Sequence, residues 1–159
     1  MGASSWQYIE TYEGDVAAAL ATVRQREFER VFVHGTYWDA LRPADRPFTS
    51  ADDLDDLWED EVFGSAGTHT IIDVWEIIDA DAKDDYHSVR PLSDEEAVEL
   101  FGTAEPTRAD FERAEERYAA RQPRSEELWG MPRWSAWCRP LKEADGVTRS
   151  IAFWGVSGD

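Results

Sequence analysis

Several features of common protein classes are missing from this chain. Its single cysteine, Cys138, excludes an internal disulfide and favours a reducing compartment. The first residues have neither the basic nor the apolar segment of a secretory signal. No apolar run approaches the roughly 18 residues that a membrane span needs. The sequence therefore predicts a cytoplasmic protein that does not enter a membrane.

Familiar catalytic and ligand-binding motifs are also missing. There is no Walker A loop, Gly-rich dinucleotide fingerprint, Gly-x-Ser-x-Gly elbow or Cys/His cluster at zinc spacing. Acids alternate at 79–85 as in a calcium loop. However, Lys83, Asp84 and Arg90 stand where that loop needs an oxygen ligand, a glycine and a glutamate. We predict no metal site and no cofactor, which weighs against the familiar enzyme classes.

Basic residues are few. Sixteen Lys and Arg stand against 34 Asp and Glu, so the formal net charge is −18. A surface this negative repels the phosphates of nucleic acids and anionic lipids, so direct binding to nucleic acid or to a membrane is disfavoured. Any macromolecular partner is predicted to be a basic protein. The acidity also suits simple solubility, and both interpretations remain open.

The residues that are present predict one α+β domain spanning 1–159. Hydrophobic residues make up 42% of the chain and eight are Trp, which is enough to close a core. We predict a mostly antiparallel sheet, with helices packed on one face and a closing C-terminal β-hairpin. Predicted strands are 6–12, 30–34, 68–79 and 88–92, followed by the hairpin 134–141 and 147–156. Predicted helices span 15–29, 93–102 and 107–121, and a short acidic helix begins at 49 or 50.

Two groups of residues are candidates for catalysis. His69 and Asp73 would share one face of the predicted strand 68–79, but roughly 13 Å apart, too far for a direct hydrogen bond. A catalytic dyad would need another partner, and the alternative is a structural or surface histidine. Cys138 lies beside Arg139, which favours the reactive thiolate, whereas a lone cysteine in a strand more commonly fills the core.

Acids and tryptophans together suggest a partner-binding surface. The segment after residue 50 carries many acids and no basic residue, and two Trp fall in predicted loops. The predicted partner-binding residues are Asp52, Asp53, Asp55, Asp56, Glu59, Asp60, Trp38 and Trp129. Aromatic faces beside carboxylates suit the Arg side chains of a partner or a small cationic ligand. The alternative is that all eight Trp belong to the core and the acids form a solvated helix face.

Three short motifs are spread along the chain. They are Ser-Trp-Gln-Tyr at 5–8, Gly-Thr-His-Thr-Ile-Ile-Asp at 67–73 and Phe-Trp-Gly-Val-Ser-Gly-Asp at 153–159. With these motifs the chain, over most of its length, resembles an uncharacterised family of small acidic actinobacterial proteins. The resemblance implies no activity, no ligand and no site residue.

Two functions from different classes follow from these observations. The first is an acidic protein-binding module, an immunity-type or regulatory inhibitor of a basic partner protein. The second is a small enzyme or ligand-binding domain, with an aromatic-lined cleft near His69 for a cationic or aromatic metabolite. A pocket where aromatic rings meet a buried carboxylate or histidine would favour the second, and a filled core beside an acidic face would favour the first. The sequence makes no prediction of oligomeric state.

Overall fold

The structure is a computed structural model that describes residues 4–35, 49–59, 61–121 and 130–157. These residues form five strands, five α-helices, two 3₁₀ turns and one π-helical turn. In chain order the elements are β1 (Ser4–Thr11), α1 (Val16–Phe28), a π-helical turn (Glu29–Val33), a 3₁₀ turn (Ala51–Leu54), α2 (Asp55–Trp58), α3 (Glu61–Ala66), a second 3₁₀ turn (Ile71–Asp73), β2 (Glu76–Ile77), β3 (Ser88–Pro91), α4 (Asp94–Phe101), α5 (Arg108–Arg121), β4 (Ser135–Lys142) and β5 (Thr148–Ser157). Among them, no helix is long and apolar enough to cross a membrane.

The five strands form one mixed sheet in the order β1-β5-β4-β3-β2. β5 pairs antiparallel with β1 and with β4, and β3 pairs parallel with β4 and with β2. Each antiparallel ladder aligns eight residue pairs, whereas the parallel ladders align four and two. The predicted α+β class and the closing β4–β5 hairpin are therefore confirmed.

Helices cover both faces of this sheet, whereas the sequence predicted helices on one face. Side chains alternate along β5, so that Trp154 and Val156 pack with α4 and α5 while Ile151 and Phe153 pack with α1. All seven residues at 151–157 are buried. A central strand covered on both faces has no polar side to show in its sequence.

The predicted strand at 30–34 is wrong, because α1 runs directly into the π-helical turn. The His34 N–H donates to the Glu29 carbonyl at 3.0 Å, which is the wider hydrogen bond of a π-helix. Phe32 thereby stacks on Phe28 with ring centroids 5.4 Å apart and lies in a cluster with Phe63. The Val-Phe-Val run at 31–33 is typical of a strand, but this tertiary packing overrides its preference.

The predicted strand at 68–79 is also wrong over most of its length. The Thr70 hydroxyl accepts a hydrogen bond from the Ile72 N–H at 3.2 Å and caps the 3₁₀ turn Ile71–Asp73. Ile71 and Ile72 are both fully buried, in different core clusters. Only Glu76–Ile77 forms a strand, at the edge of the sheet.

The helices with clear capping residues form as predicted. The Asp15 carboxylate accepts a hydrogen bond from the Ala18 N–H at 3.1 Å at the start of α1. Ser93 and Glu96 form a capping box at the start of α4, and Gly102 ends that helix with φ = 83°. These caps are local in sequence, so their positions could be predicted without the tertiary structure.

Candidate functional site

Three ring-bearing residues meet where the parallel strands begin. Trp75, His87 and Trp134 directly precede β2, β3 and β4, and the parallel register places them side by side. The backbone N–H of Trp75 donates to the His87 carbonyl at 2.9 Å, and the backbone N–H of His87 donates to the Trp134 carbonyl at 2.6 Å. We call these three residues the aromatic row.

The rings of the aromatic row contact one another. Trp75 stacks on His87 with centroids 4.1 Å apart and ring planes 14° apart. Trp58, from α2, contacts all three rings at centroid distances of 5.3 to 6.2 Å. Because the rings fill the space between them, the row is a packed surface and not a cleft.

One end of the aromatic row reaches the surface. Trp134 is 5% exposed, whereas Trp75 is 41% exposed. Tyr86 is 63% exposed and packs edge-on against His87 with centroids 5.7 Å apart, and Ile77 is 36% exposed two residues after Trp75. We call the exposed side chains of Trp75, Ile77 and Tyr86 the aromatic face.

The backbone around the row adopts an uncommon conformation. Among the described residues, only His69, His87 and Trp134 combine a side chain with positive φ, at 57°, 59° and 63°. Such a conformation costs of order 1 kcal/mol for each residue and persists only where the surroundings enforce it. The backbone conformation of His87 is held in part by its own ring, whose Nδ1 forms a hydrogen bond with the Asp73 carbonyl oxygen at 2.7 Å. Residues in strained backbone conformations cluster at functional sites. This end of the sheet is therefore the candidate functional site.

A buried carboxylate lies beneath the row. Asp73 is fully buried, and its Oδ1 accepts hydrogen bonds from the Thr68 N–H at 2.8 Å and the Thr68 hydroxyl at 2.7 Å. Burial raises the pKa of Asp73, while the Thr68 hydrogen bonds, the Ser157 hydroxyl and the charge of His69 act in the opposite direction. The Ser157 hydroxyl itself accepts the Trp6 indole N–H at 2.8 Å.

The predicted pair of His69 and Asp73 does not form a dyad. The 3₁₀ turn replaces the extended strand, so the spacing calculated for a strand does not apply. His69 Nδ1 instead bonds the Ser4 hydroxyl at 2.7 Å, and its influence on Asp73 is through charge. His69 is hydrogen-bonded to Ser4 and Asp73 to Thr68, and no hydrogen bond joins His69 to Asp73 among the described contacts, so the geometry does not support catalysis by the pair.

We expect the Asp73→Asn variant to change how stability depends on pH. Because burial raises the pKa of Asp73 above its ordinary value of 3.8, the folded state binds more protons than the unfolded state between the two values. The free energy of unfolding of the wild type should therefore rise as pH falls through that window, and asparagine should remove this rise. Urea unfolding between neutral pH and about pH 4 measures the difference. Asp79→Asn, at an exposed position, is the control. An Asp73→Asn effect of the same size at every pH would contradict the raised pKa.

The predicted acidic surface is only partly described. Asp52 is exposed and lies 3.8 Å from Arg24, and Glu59 is exposed. The Asp53 carboxylate is engaged by its own chain, because its Oδ2 accepts hydrogen bonds from the backbone N–H groups of Thr49 and Ser50 at 2.6 and 3.0 Å. A partner could therefore reach Asp52 and Glu59 more easily than Asp53.

The other predicted partner-binding residues fall outside this description. Asp55 and Asp56 belong to α2, but their side chains lie outside what the structure describes. Trp38, Asp60 and Trp129 lie outside the described residues altogether. Their role in partner binding stays a prediction.

Of the two interpretations of Cys138, a reactive thiolate or a core residue, the structure supports the core residue. It is fully buried among residues that pack on α1. Burial raises the pKa of its thiol to about 12, although Arg139 and Arg90 act against the rise. The thiolate is the reactive form, so a buried thiol with this pKa is unreactive at neutral pH.

The loop at 79–85 is held by Arg90. Asp84 Oδ1 accepts hydrogen bonds from Arg90 Nε at 2.6 Å and from the Trp137 indole at 2.9 Å. Within the ranges that the structure covers, no group of three or more His, Cys, Asp or Glu side chains is placed to hold a metal ion. The carboxylate of Asp84 therefore has a structural role in fastening the loop to the sheet.

The aromatic row could not be recognised from the sequence as a unit. Trp75 and Trp134 are two of the eight Trp, and nothing local connects them with His87. The three residues lie 12 and 47 positions apart in the chain. A usable signal was the position of each residue directly before a β-rich segment. This would have required the strands to be recognised as parallel neighbours.

Comparison with known proteins adds no function to this geometry. The resemblance to the actinobacterial family stays a prediction. Function therefore has to be inferred from the side chains described above. No protein-family model, curated protein or solved structure matches the chain.

Proposed function

We propose that this chain is an acidic protein-binding module, an immunity-type or regulatory inhibitor that docks on a basic partner protein through the aromatic face. The observation that carries the proposal is the clustering of exposed apolar side chains. Six large hydrophobic side chains are exposed among the described residues, and three of them form the aromatic face. The other three are Val33, Val98 and Val147. Exposed aromatic side chains of this kind carry much of the binding energy at protein interfaces.

Exposed acids lie next to the residues of the aromatic face in the chain and support a basic partner. Glu76 lies between Trp75 and Ile77, and Asp79 and Asp85 flank the face in the chain, all three exposed. None of these three acids forms an ion pair with another described residue. A formal net charge of −18 would attract a basic protein at long range, and these carboxylates would meet its Lys and Arg side chains at contact.

Partly buried rings pack against Trp75 of the aromatic face. Trp75 is stacked on His87 and contacted by Trp58, so its ring is held in place before any partner arrives. A side chain that is already ordered loses little conformational entropy on binding, which otherwise costs about 0.5–1.5 kcal/mol for each side chain. This preorganisation favours a docking role for Trp75 over a purely solvated one.

The same proposal extends to the cell compartment. We place the module in the cytoplasm, because its one cysteine is a buried free thiol and disulfides are rare in that reducing compartment. Its negative charge argues against direct contact with nucleic acid. An inhibitor of a nucleic-acid-binding protein is consistent with this charge, because it would bind the basic surface with which its target binds nucleic acid.

We expect a Trp75→Ala/Tyr86→Ala double variant to lose the basic partner. The tagged wild type and variant are used to capture proteins from lysate of the source organism at low and high salt. Bound proteins are identified by mass spectrometry. The wild type should retain a basic protein at low salt and release it at high salt. The double variant should bind that protein at least 100-fold more weakly, because two exposed aromatic anchors of about 2 kcal/mol each are removed.

The matched control is Val98→Ala/Val147→Ala, which removes two side chains of about half exposure away from the aromatic face. It should bind as the wild type does, and a thermal melt of each variant should confirm that it is folded. Equal retention by the wild type and the aromatic variant would refute the proposed face, and a capture with no basic protein would refute the function. Trp38→Ala and Trp129→Ala in the same assay test the two predicted loop tryptophans.

The alternative is a small enzyme or ligand-binding domain with an aromatic-lined cleft. The aromatic row does not supply that cleft, because its rings fill the space between them. A separate pocket beside α4 and α5 does favour ligand binding.

A further inference from the structure

A pocket of about 180 Å³ lies between α4, α5 and the sheet. It shares no residue with the aromatic row or the aromatic face, so it is independent of the proposed docking function. Its lining residues are Leu92, Glu96, Glu99, Leu100, Tyr118 and Trp137. Two aliphatic side chains, two aromatic rings and two carboxylates thus converge on one small space.

The volume limits what can enter. An engineered apolar cavity of roughly 150 Å³ holds one benzene molecule. A pocket of about 180 Å³ therefore accepts a ligand of roughly six to eight non-hydrogen atoms. Sites for drug-sized ligands begin at roughly 300 Å³, so nucleotides and other large cofactors are too big for it.

The two carboxylates differ in how their charge is balanced. Glu96 accepts hydrogen bonds from both terminal nitrogens of Arg90 at 2.9 Å, and this holds the pKa of Glu96 at about 2. Glu96 is therefore ionised at neutral pH and is paired with Arg90, which it shares with Asp84. Glu99 is exposed and forms no ion pair with any other residue that the structure describes. One uncompensated negative charge thus remains at the pocket.

Aromatic walls beside an uncompensated carboxylate favour a cation. The negative face of an indole or phenol ring attracts a cation within about 6 Å of its centroid, and Trp does so most strongly. Trp137 already binds one cation in this way, since the Arg90 guanidinium lies 5.6 Å from its ring centroid. The apolar side chains of Leu92 and Leu100 favour a cation with methyl groups over a strongly hydrated ammonium.

We propose that this pocket binds a small organic cation with a methylated ammonium head. The head contacts Trp137, Tyr118 and the two leucines, and Glu99 supplies the opposite charge. Neutral molecules of the same shape gain the apolar contacts but not the electrostatic ones, so they bind more weakly.

The test compares choline with 3,3-dimethylbutan-1-ol, which has the same shape and no charge. Each is titrated into the isotopically labelled full chain at low ionic strength while NMR follows the Trp indole N–H signals. We expect choline to shift the Trp137 signal with a dissociation constant of about 1 mM. We expect the neutral alcohol to bind at least ten-fold more weakly. Equal affinities for the two molecules, or no saturable shift of Trp137 with choline, would overturn the proposal.

A pair of variants separates the pocket from general attraction to an acidic surface. Glu99→Gln should weaken choline binding about five-fold and leave the alcohol unaffected. Glu95→Gln removes the same charge from the same helix outside the pocket and should change neither affinity. If both variants weaken choline binding equally, the cation is held only by the overall negative charge and the assigned site is wrong. The aromatic-face variant should bind choline normally, so failure here and failure of the docking proposal are distinguishable.

Discussion

The Arg90→Met variant is expected to lose about 3 kcal/mol of unfolding free energy. Arg90 is 5% exposed. Its guanidinium donates to Asp84 at 2.6 Å, to both oxygens of Glu96 at 2.9 Å and to the Ala80 carbonyl at 3.1 Å. Methionine keeps much of the packing on Trp137 but leaves two carboxylates without their cation. Removing one partner of a buried ion pair typically costs 3–5 kcal/mol. We take the lower end because Glu96 remains 39% exposed.

Urea unfolding measures this loss, and Arg113→Met is its matched control. The Arg113 side chain is 63% exposed and pairs with Asp110 on the surface of α5, so its loss should cost no more than about 0.5 kcal/mol. Two variants of equal stability would contradict the role assigned to Arg90. Because Arg90 holds the loop at 79–85, the variant should also weaken the proposed docking on a basic partner through Asp79 and Asp85.

The Arg90 network also predicts an acid-sensitive component of stability. Arg90 lowers the pKa of Glu96 from 4.5 to about 2 in the folded state. The stabilisation is therefore complete above the unfolded value and is lost as pH falls through the folded value. In Arg90→Met the fall in unfolding free energy between these two pH values should become shallower. An unchanged slope would mean that Arg90 does not set the pKa of Glu96.

The Gly67→Ala variant is expected to lose about 3 kcal/mol and to disturb the aromatic row. Gly67 has φ = 63°, and a Cβ atom there would lie 2.4 Å from the ring of Trp134 and 3.0 Å from Asp73 Oδ2. The left-handed backbone costs about 1 kcal/mol for alanine. Overpacking against a buried ring adds about 1–3 kcal/mol. Trp134 is 5% exposed and enclosed by Trp58 and His87, so its ring has little room to move.

Gly130→Ala isolates the backbone contribution. Gly130 has φ = 73°, and a Cβ atom there would meet no atom within 4 Å. It should lose only about 1 kcal/mol in urea unfolding. Near-ultraviolet circular dichroism should show altered tryptophan packing in Gly67→Ala and not in Gly130→Ala. Equal losses of stability with unchanged spectra would show that Gly67 is required only for its backbone conformation.

The two proposed sites use different parts of the same aromatic composition. The docking face uses exposed rings that are held by other rings, and binding there should depend strongly on salt because the steering charge is spread over the surface. The pocket beside α4 and α5 uses half-buried Trp137 and Tyr118 with one uncompensated carboxylate. A molecule with both could bind a small cation while a partner protein occupies the aromatic face.

Local sequence determined the parts of this fold that depend on near neighbours. Asp15 and the Ser93–Glu96 capping box mark the starts of α1 and α4, because a helix cap joins residues at most three positions apart. The closing hairpin is also local, because a short turn joins β4 directly to β5. Composition alone determined the net charge of −18 and the single cysteine, and from these the expectation of a basic partner.

The tertiary structure decided the elements whose local preferences were ambiguous. Residues 30–34 and 68–79 are rich in β-branched and aromatic side chains, and either a strand or a tight helical turn could bury them. Contacts with Phe28 and Phe63 select the π-helical turn that contains Phe32, and the Thr70 cap selects the 3₁₀ turn. Burial on both faces of β5 likewise depends on which helices cover it.

The candidate site was determined by long-range pairing. The sequence supplied Trp75, His87 and Trp134 as separate residues, and the capping and periodicity that predict helices carry no information about contacts between distant strands. Parallel pairing of β2, β3 and β4 brings the residues that precede these strands to one edge of the sheet. Parallel neighbours are joined by long connections, so no short sequence pattern specifies their register. A basic partner is thus an expectation from the sequence, whereas the proposed docking surface exists only in the folded sheet.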